Sequence, residues 1–203
     1  MIDFATMQTV RLKGGMADAP MVAAVMGVDE AAARSALAML VGDECAAERG
    51  GRYRITPAGR DALGVALEAE RDGLDAAAVA VLYADFTARN AKFKQLVTDW
   101  QLRHGQPNDH VDPIYDHAVL GRLDALHLDF AAVAKRIAAA IPRLHRYPDR
   151  LRTALQRVKA GEHKFFVNPM VDSYHQVWFE LHEELIGVAG LERQAEAAAG
   201  RAE

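Results

Sequence analysis

Arg49-Gly-Gly-Arg-Tyr-Arg-Ile-Thr-Pro-Ala-Gly-Arg60 decides how the first third of the chain folds. Gly50-Gly51 supplies the positive φ that a two-residue hairpin turn requires. Tyr53-Arg-Ile55 alternates as a short strand, with Arg52 and Arg54 on one side and Tyr53 and Ile55 on the other. Thr56 is a helix N-cap, and Pro57 occupies the first helical position, where no N–H is needed. The stretch therefore reads as a tight hairpin running directly into a helix.

Three short helical patterns precede it. Phe4 to Leu12 carries apolar residues at helical spacing and stops at Gly14-Gly15. Asp18 caps Ala19 to Met26, which Gly27 closes. Asp29 caps a helix from Glu30 to Leu40 or Val41, with Ala33, Leu37 and Leu40 forming its apolar stripe. Ala62, Leu63, Ala66 and Leu67 are the predicted core contacts of the helix opening at Pro57. Helix, helix, helix, hairpin, helix is the order of a winged helix-turn-helix. The predicted fold is mainly α: an N-terminal winged helix-turn-helix over residues 1–70, with a small β-hairpin wing, then an all-α domain over 74–203. Arg71-Asp-Gly73 marks the boundary.

Beyond it every pattern reads as helix. Asp75 to about Arg103 is uninterrupted, with Val79, Leu82, Phe86, Phe93, Leu96 and Trp100 on its apolar side. His104 to Pro113 reads as a loop, because its prolines, glycine and short polar side chains compete with helix. Helices are predicted over 114–140, 149–160 and from Val171 to Gly187. The tail from Ala195 to Glu203 reads as a fraying helix end.

At 203 residues, with 51% hydrophobic and 26% charged residues, the composition is that of an ordinary soluble protein. The single cysteine, Cys45, excludes an intramolecular disulfide and fits a reducing cytoplasm. No apolar run reaches the ~20 residues of a membrane span, and Met1-Ile-Asp-Phe lacks the features of a signal peptide. The net charge is −4. Residues 1–70 contribute seven Lys/Arg against ten Asp/Glu, so any phosphate-binding face must be local.

In a helix-turn-helix the third helix enters the major groove. Arg34 and Ser35 are its candidate base readers, but Asp29 and Glu30 sit at its start and repel phosphate. Arg49, Arg52 and Arg54 flank the hairpin turn, and Arg60 lies one helical turn beyond. These four are the candidate phosphate contacts.

All eight histidines follow residue 100. His104, His110 and His117 share a loop and helix start with Asp109, Asp112 and Asp116; His175 and His182 share a helix face. Imidazoles and carboxylates can hold a divalent metal, yet no paired-histidine motif is present, and no metal or cofactor is assigned. Trp100, His110, His175, Trp178 and His182 are the candidate ligand-binding residues of the helical domain. Arg143 to Lys164 holds seven Lys/Arg against two acids and reads first as a solvated helix face. Phe165, Phe166, Tyr174, Trp178 and Phe179 read first as core. Neither a nucleophile elbow nor a phosphate-binding glycine loop is found, so the chain is read as no enzyme.

Leu12-Lys-Gly14, the spacing to Leu37 and Leu40, and Tyr53-Arg-Ile-Thr-Pro-Ala-Gly-Arg60 resemble the winged-helix domain of MarR-like bacterial regulators. That resemblance implies a base-reading third helix and a backbone-touching wing. The poorly polar third helix departs from the family pattern. Thr98-Asp-Trp-Gln101, Pro107-Asn-Asp-His110 and Asp172-Ser-Tyr-His-Gln-Val-Trp-Phe-Glu-Leu-His-Glu183 are similar to a helical module of high-GC bacteria, in uncharacterised winged-helix proteins and proteins near PEP-utilising phosphotransferases. It implies no catalytic residues.

The expectation is a cytoplasmic, homodimeric transcriptional regulator that binds double-stranded DNA and carries a helical domain for dimerisation or a small-molecule effector. The alternative is a non-enzymatic accessory subunit whose winged helix docks a protein partner such as a PEP-utilising phosphotransferase. A metal-dependent enzyme is the third reading.

Overall fold

The computed structural model describes residues 3–15 and 17–198, and it is mainly helical with two small antiparallel hairpins. The sequence expectations for Met1, Ile2 and the end of the tail lie outside the described residues. The chain divides into two compact units, Met1–Leu74 and Asp75–Glu203.

In the first unit, α1 (Phe4–Leu12), α2 (Ala19–Met26) and α3 (Glu30–Gly42) are each opened by an aspartate, Asp3, Asp18 and Asp29, whose carboxylate accepts an amide of the first turn. Gly27, in the left-handed conformation, ends α2 and sets the short turn into α3. Strands β1 (Ala46–Arg49) and β2 (Arg52–Ile55) form the hairpin, with Arg49 opposite Arg52 and Ala47 opposite Arg54. Gly50 and Gly51 both take positive φ, as a type I′ turn demands. Ala17 adds an antiparallel bridge to the other edge of β2, where the Tyr53 amide donates to its carbonyl at 2.8 Å. Helix α4 (Pro57–Asp72) follows, capped by Thr56. Met7, Val10, Val22, Leu37, Leu40 and Leu63 fill the core. Of the predicted α4 contacts, Leu63 is fully buried, while Ala62, Ala66 and Leu67 are half-buried.

The second unit is built on α5 (Ala76–Gln101) and α6 (Pro113–Ala140), packed side by side, and on α7 (Tyr147–Lys159), α8 (Lys164–Val167) and α9 (Tyr174–Val188). A short 3-10 turn, Pro142–Leu144, leads into α7, and α10 (Arg193–Ala198) follows α9. Where the sequence predicts the end of a helix and then a loop from His104, there is a hairpin, β3 (Leu102–Arg103) with β4 (Gln106–Pro107). His104 and Gly105 both take positive φ and make its two-residue turn. The pattern hid it because a histidine is an unusual occupant of that position.

Helix α9 has no exposed residue, and acids as well as apolar side chains are buried on it. Trp178, at 2% exposure, packs against Phe86, Phe93 and Phe130, and its indole N–H donates to Asn90 at 2.9 Å. The basic stretch 143–164 is only partly a solvated face. Arg150 is buried between Asp172 and Glu180, and Arg143 pairs with buried Glu184 at 2.7 Å.

His127 on α6 is half-buried, and its Nδ1 lies 3.2 Å from the Tyr174 hydroxyl. Burial lowers its pKa below the ordinary imidazole value. The unfolded chain then binds more protons than the folded one from about pH 6.5 down to the folded pKa, so stability falls as pH falls through that window. Denaturation midpoints at pH 5.5 should lie below those at pH 7.5 by a margin that shrinks in His127→Gln. An unchanged margin would remove His127 from the pH dependence.

Candidate functional site

The hairpin register decides the polar face of the first unit. Residues directly opposite in an antiparallel pair point to the same side, and alternate residues point to opposite sides. Ala46 and Ile55 thus face the core, with half-buried Tyr53 on the same side. Arg49, Arg52 and Arg54 all lie on the outer face and are exposed. Arg49 sits directly across from Arg52, an arrangement of like charges that costs stability in an isolated hairpin. Arg60 is exposed on the first turn of α4. Among the described residues, no ion pair is made by Arg49, Arg54 or Arg60.

Helix α3 presents a different surface. Ala33, Leu37 and Leu40 point inward, and Ala31, Ala32, Ala38, Met39 and Val41 are exposed. Arg34, a predicted base reader, is folded back onto Glu30 four residues earlier. Ser35, the other one, donates its hydroxyl to the Ala31 carbonyl at 3.0 Å. Both are accessible, but both are engaged within their own helix. Asp29 caps α3 through the Ala32 amide at 2.7 Å, so the helix N-terminus is already satisfied by a carboxylate.

Compared with known proteins, the chain matches no family model, no curated protein and no solved structure.

The five ligand-binding candidates of the second unit fall into two groups. His175, Trp178 and His182 line one face of α9 with Asn90, Phe93, Phe179 and Glu183, around a space of about 10 Å³. That is room for one water molecule, so these side chains act as core. Trp100 and His110 pack with their rings tilted and centroids 4.4 Å apart, beside a cavity of about 590 Å³ between α6 and α7. His110 lines that cavity with Asp116, His117, Asp124, Lys159 and His163.

The environment of His110 is built. Asp116 is buried, and its Oδ2 lies 3.0 Å from His110 Nδ1. Asn108 Nδ2 donates to the other Asp116 oxygen and to the Trp100 carbonyl, both at 3.1 Å. Asn108 Nδ2 also lies 3.2 Å from His110 Nδ1, so that nitrogen is engaged within the cluster. His110 also takes a φ of 58°, an unfavourable conformation for a non-glycine residue that the surrounding bonds must maintain.

The carboxylates of this region are committed to local roles. Asp112 caps α6 through Ile114 and Tyr115 and pairs with Arg103 at 2.8 Å; the Tyr115 amide and Arg103 outweigh its partial desolvation and hold its pKa below the ordinary value. Asp109 accepts the Val111 amide. Among the described residues, no three His, Cys, Asp or Glu side chains gather as a metal site. His163 and Lys159 were not singled out by sequence. They lie about fifty residues from His110, and only the packing of α7 on α6 brings them to the same cavity.

Proposed function

We propose that the first unit is a winged helix-turn-helix DNA-binding module and that the chain is a transcriptional regulator. Three Arg on one face of the hairpin, with Arg49 and Arg52 directly opposed, carry this reading. A phosphate backbone offsets that mutual repulsion, and guanidinium forks match phosphate oxygens. The Ala17 bridge to β2 supports it further, because it ties the hairpin to the helices and fixes the angle of the arginine face. Contacts of this kind position a protein on DNA. Base discrimination from α3 would be modest, resting on Arg34 once released from Glu30 and on Ala31, Ala32 and Ala38 against thymine methyl groups. A homodimer, placing two modules on two half-sites, would supply the affinity that one module lacks. The cavity beside His110 is large enough for a small-molecule effector.

Selection of genomic fragments by the purified protein at near-physiological salt tests the reading. Wild type should enrich a palindromic fragment, and Arg49→Ala/Arg52→Ala/Arg54→Ala should not. On that fragment, the slope of log affinity against log salt should flatten by about 0.9 for each phosphate contact removed. Absence of enrichment, with cell extract added as a source of effectors, would sink it.

The second reading, a module that docks a protein partner, is favoured by α3 itself. Met39 is 52% exposed beside Ala38 and Val41, and Arg34 and Ser35 are turned back onto the helix. Unchanged DNA selection by Met39→Glu, which puts a charge on that face, would count against an apolar role for α3 in DNA binding.

A further inference from the structure

The outer face of the hairpin continues into a cleft of about 620 Å³ in the first unit. Its walls come from the end of α1, the Gly14-Gly15 turn, β2 and the start of α4. Among the described residues, Arg11, Arg54 and Arg60 line it, and no carboxylate does. The charge of the surrounding sequence makes this unusual: residues 1–70 carry more acids than bases. A concavity lined by one sign of charge concentrates its field and attracts the opposite sign.

The arginines are held in place. Arg11 Nε donates to Gln8 at 2.9 Å. The stem of Arg54 crosses Gly15, where a methyl group would sit 3.2 Å from its Cδ. Gly15 also has a φ of +85°, so glycine serves both the turn and the passage of the arginine. Ala47, directly opposite Arg54, leaves the floor of the cleft open. Neither Arg54 nor Arg60 makes an ion pair among the described residues. The Thr56 hydroxyl already donates to the Glu44 carbonyl at 2.6 Å and accepts the Gly59 amide at 3.0 Å. Arg54 and Arg60 therefore keep their charge available to the cleft.

We propose that this cleft is a phosphate-binding site. Three guanidinium forks suit a group with several anionic oxygens better than a carboxylate, which offers two. The phosphate can arrive on the DNA backbone or on a small phosphorylated molecule, and the cleft lies within the size range of small-ligand sites. The proposal stands without the DNA-binding reading.

Calorimetric titration of the full chain with inorganic pyrophosphate at low ionic strength tests it. Wild type should bind one pyrophosphate. Arg54→Gln and Arg60→Gln should each weaken binding about tenfold, the scale of a lost charge-assisted bond. Arg71→Gln, at the far end of α4 and outside the cleft, should leave affinity unchanged. Helical circular dichroism melts of all three should match wild type, since none of the three side chains is buried. Absence of saturable binding would overturn the proposal, as would an Arg71→Gln loss equal to that of Arg60→Gln. A second arm identifies the source, using a short labelled duplex of mixed sequence. Displacement of pyrophosphate by the duplex assigns the site to the DNA backbone. Simultaneous binding of both, or no duplex binding, assigns it to a small phosphorylated ligand. Failure of the genomic selection with pyrophosphate binding intact would remove the regulator reading and leave the site standing.

Discussion

Gly59→Ala should destabilise the first unit by about 3 kcal/mol, at the upper end of the usual overpacking range. Gly59 lies on the first turn of α4, where the helix rests directly on the backbone between α3 and β1. A Cβ there would sit 2.0 Å from the Cys45 carbonyl oxygen, 2.8 Å from its carbon and 2.7 Å from Ile55 Cδ1. Two of those atoms are backbone and cannot swing aside. Shifting them would pull on the Thr56 amide, which donates to the same Cys45 carbonyl at 3.1 Å, and so on the hairpin itself. The helix-propensity gain of alanine over glycine, about 1 kcal/mol, is too small to offset this. Gly64 supplies the control. It lies on the same helix, and its added methyl group would meet nothing within 4 Å. Gly64→Ala should therefore stabilise by up to about 1 kcal/mol. Both tryptophans, Trp100 and Trp178, belong to the second unit. The readout is then amide hydrogen exchange in residues 3–72 across a denaturant series. Equal behaviour of the two alanine variants would refute the close approach of α4 to the hairpin.

The second large effect is expected at Arg150. Its guanidinium meets Asp172 through Nε at 2.9 Å and Nη2 at 2.5 Å, and Glu180 through Nη2 at 2.6 Å. Arg150 and Glu180 are 7% and 1% exposed, and Gln176 donates to the second Glu180 oxygen at 3.0 Å. Burial by itself would lower the Arg150 pKa, but Glu180 and Asp172 override it and push it well above the ordinary value. Arg150→Met leaves Glu180 as a buried carboxylate without its cation, which costs about 3–5 kcal/mol. Arg150→Met/Glu180→Met should recover much of that loss, because an apolar pair of similar volume needs no compensation. Tryptophan fluorescence during urea unfolding reports the second unit. The single variant should also gain stability relative to wild type as pH falls from 7 toward 5. Loss of the cation raises the folded pKa of the buried Glu180 carboxylate, so the variant's folded state binds more protons than its unfolded state in that window. A single variant within 1 kcal/mol of wild type would show that this pair is not a structural anchor.

These two sites were unequally visible in the amino-acid pattern. Thr56-Pro57-Ala58-Gly59 signals a helix start, and Gly59 looks like a poor helix former in its first turn. The Cys45 carbonyl that requires it lies fourteen residues earlier, on the far side of the hairpin. Arg150 belongs to a basic stretch with amphipathic spacing, and local spacing predicts that such a residue is solvated. Asp172 and Glu180, which turn it inward, are contributed by the segment leading into α9 and by α9 itself.

The same division holds across the molecule. The caps Asp18, Asp29 and Thr56, the apolar stripes of α3 and α5, and the Gly50-Gly51 turn were legible in sequence. Each depends on residues within one or two helical turns, where spacing and side-chain chemistry act directly on the backbone. The hairpin at 102–107 was not legible, because its two-residue strands give no alternation to read. Nor was the sorting of the histidines. His175 and His182 shared a helix face in both views, but ring packing against Phe93 and Phe86 makes them core, whereas His110 is stationed at a cavity by a buried Asp116.

The sequence by itself determined where the helices of the first unit start and stop, and that arginines crowd the first hairpin. Only the tertiary structure decided that Arg49 joins Arg52 and Arg54 on the outer face and that Arg54 and Arg60 meet Arg11 in a cleft. Pairing register and the packing of elements distant in sequence set these positions, and neither leaves a periodic trace along the chain.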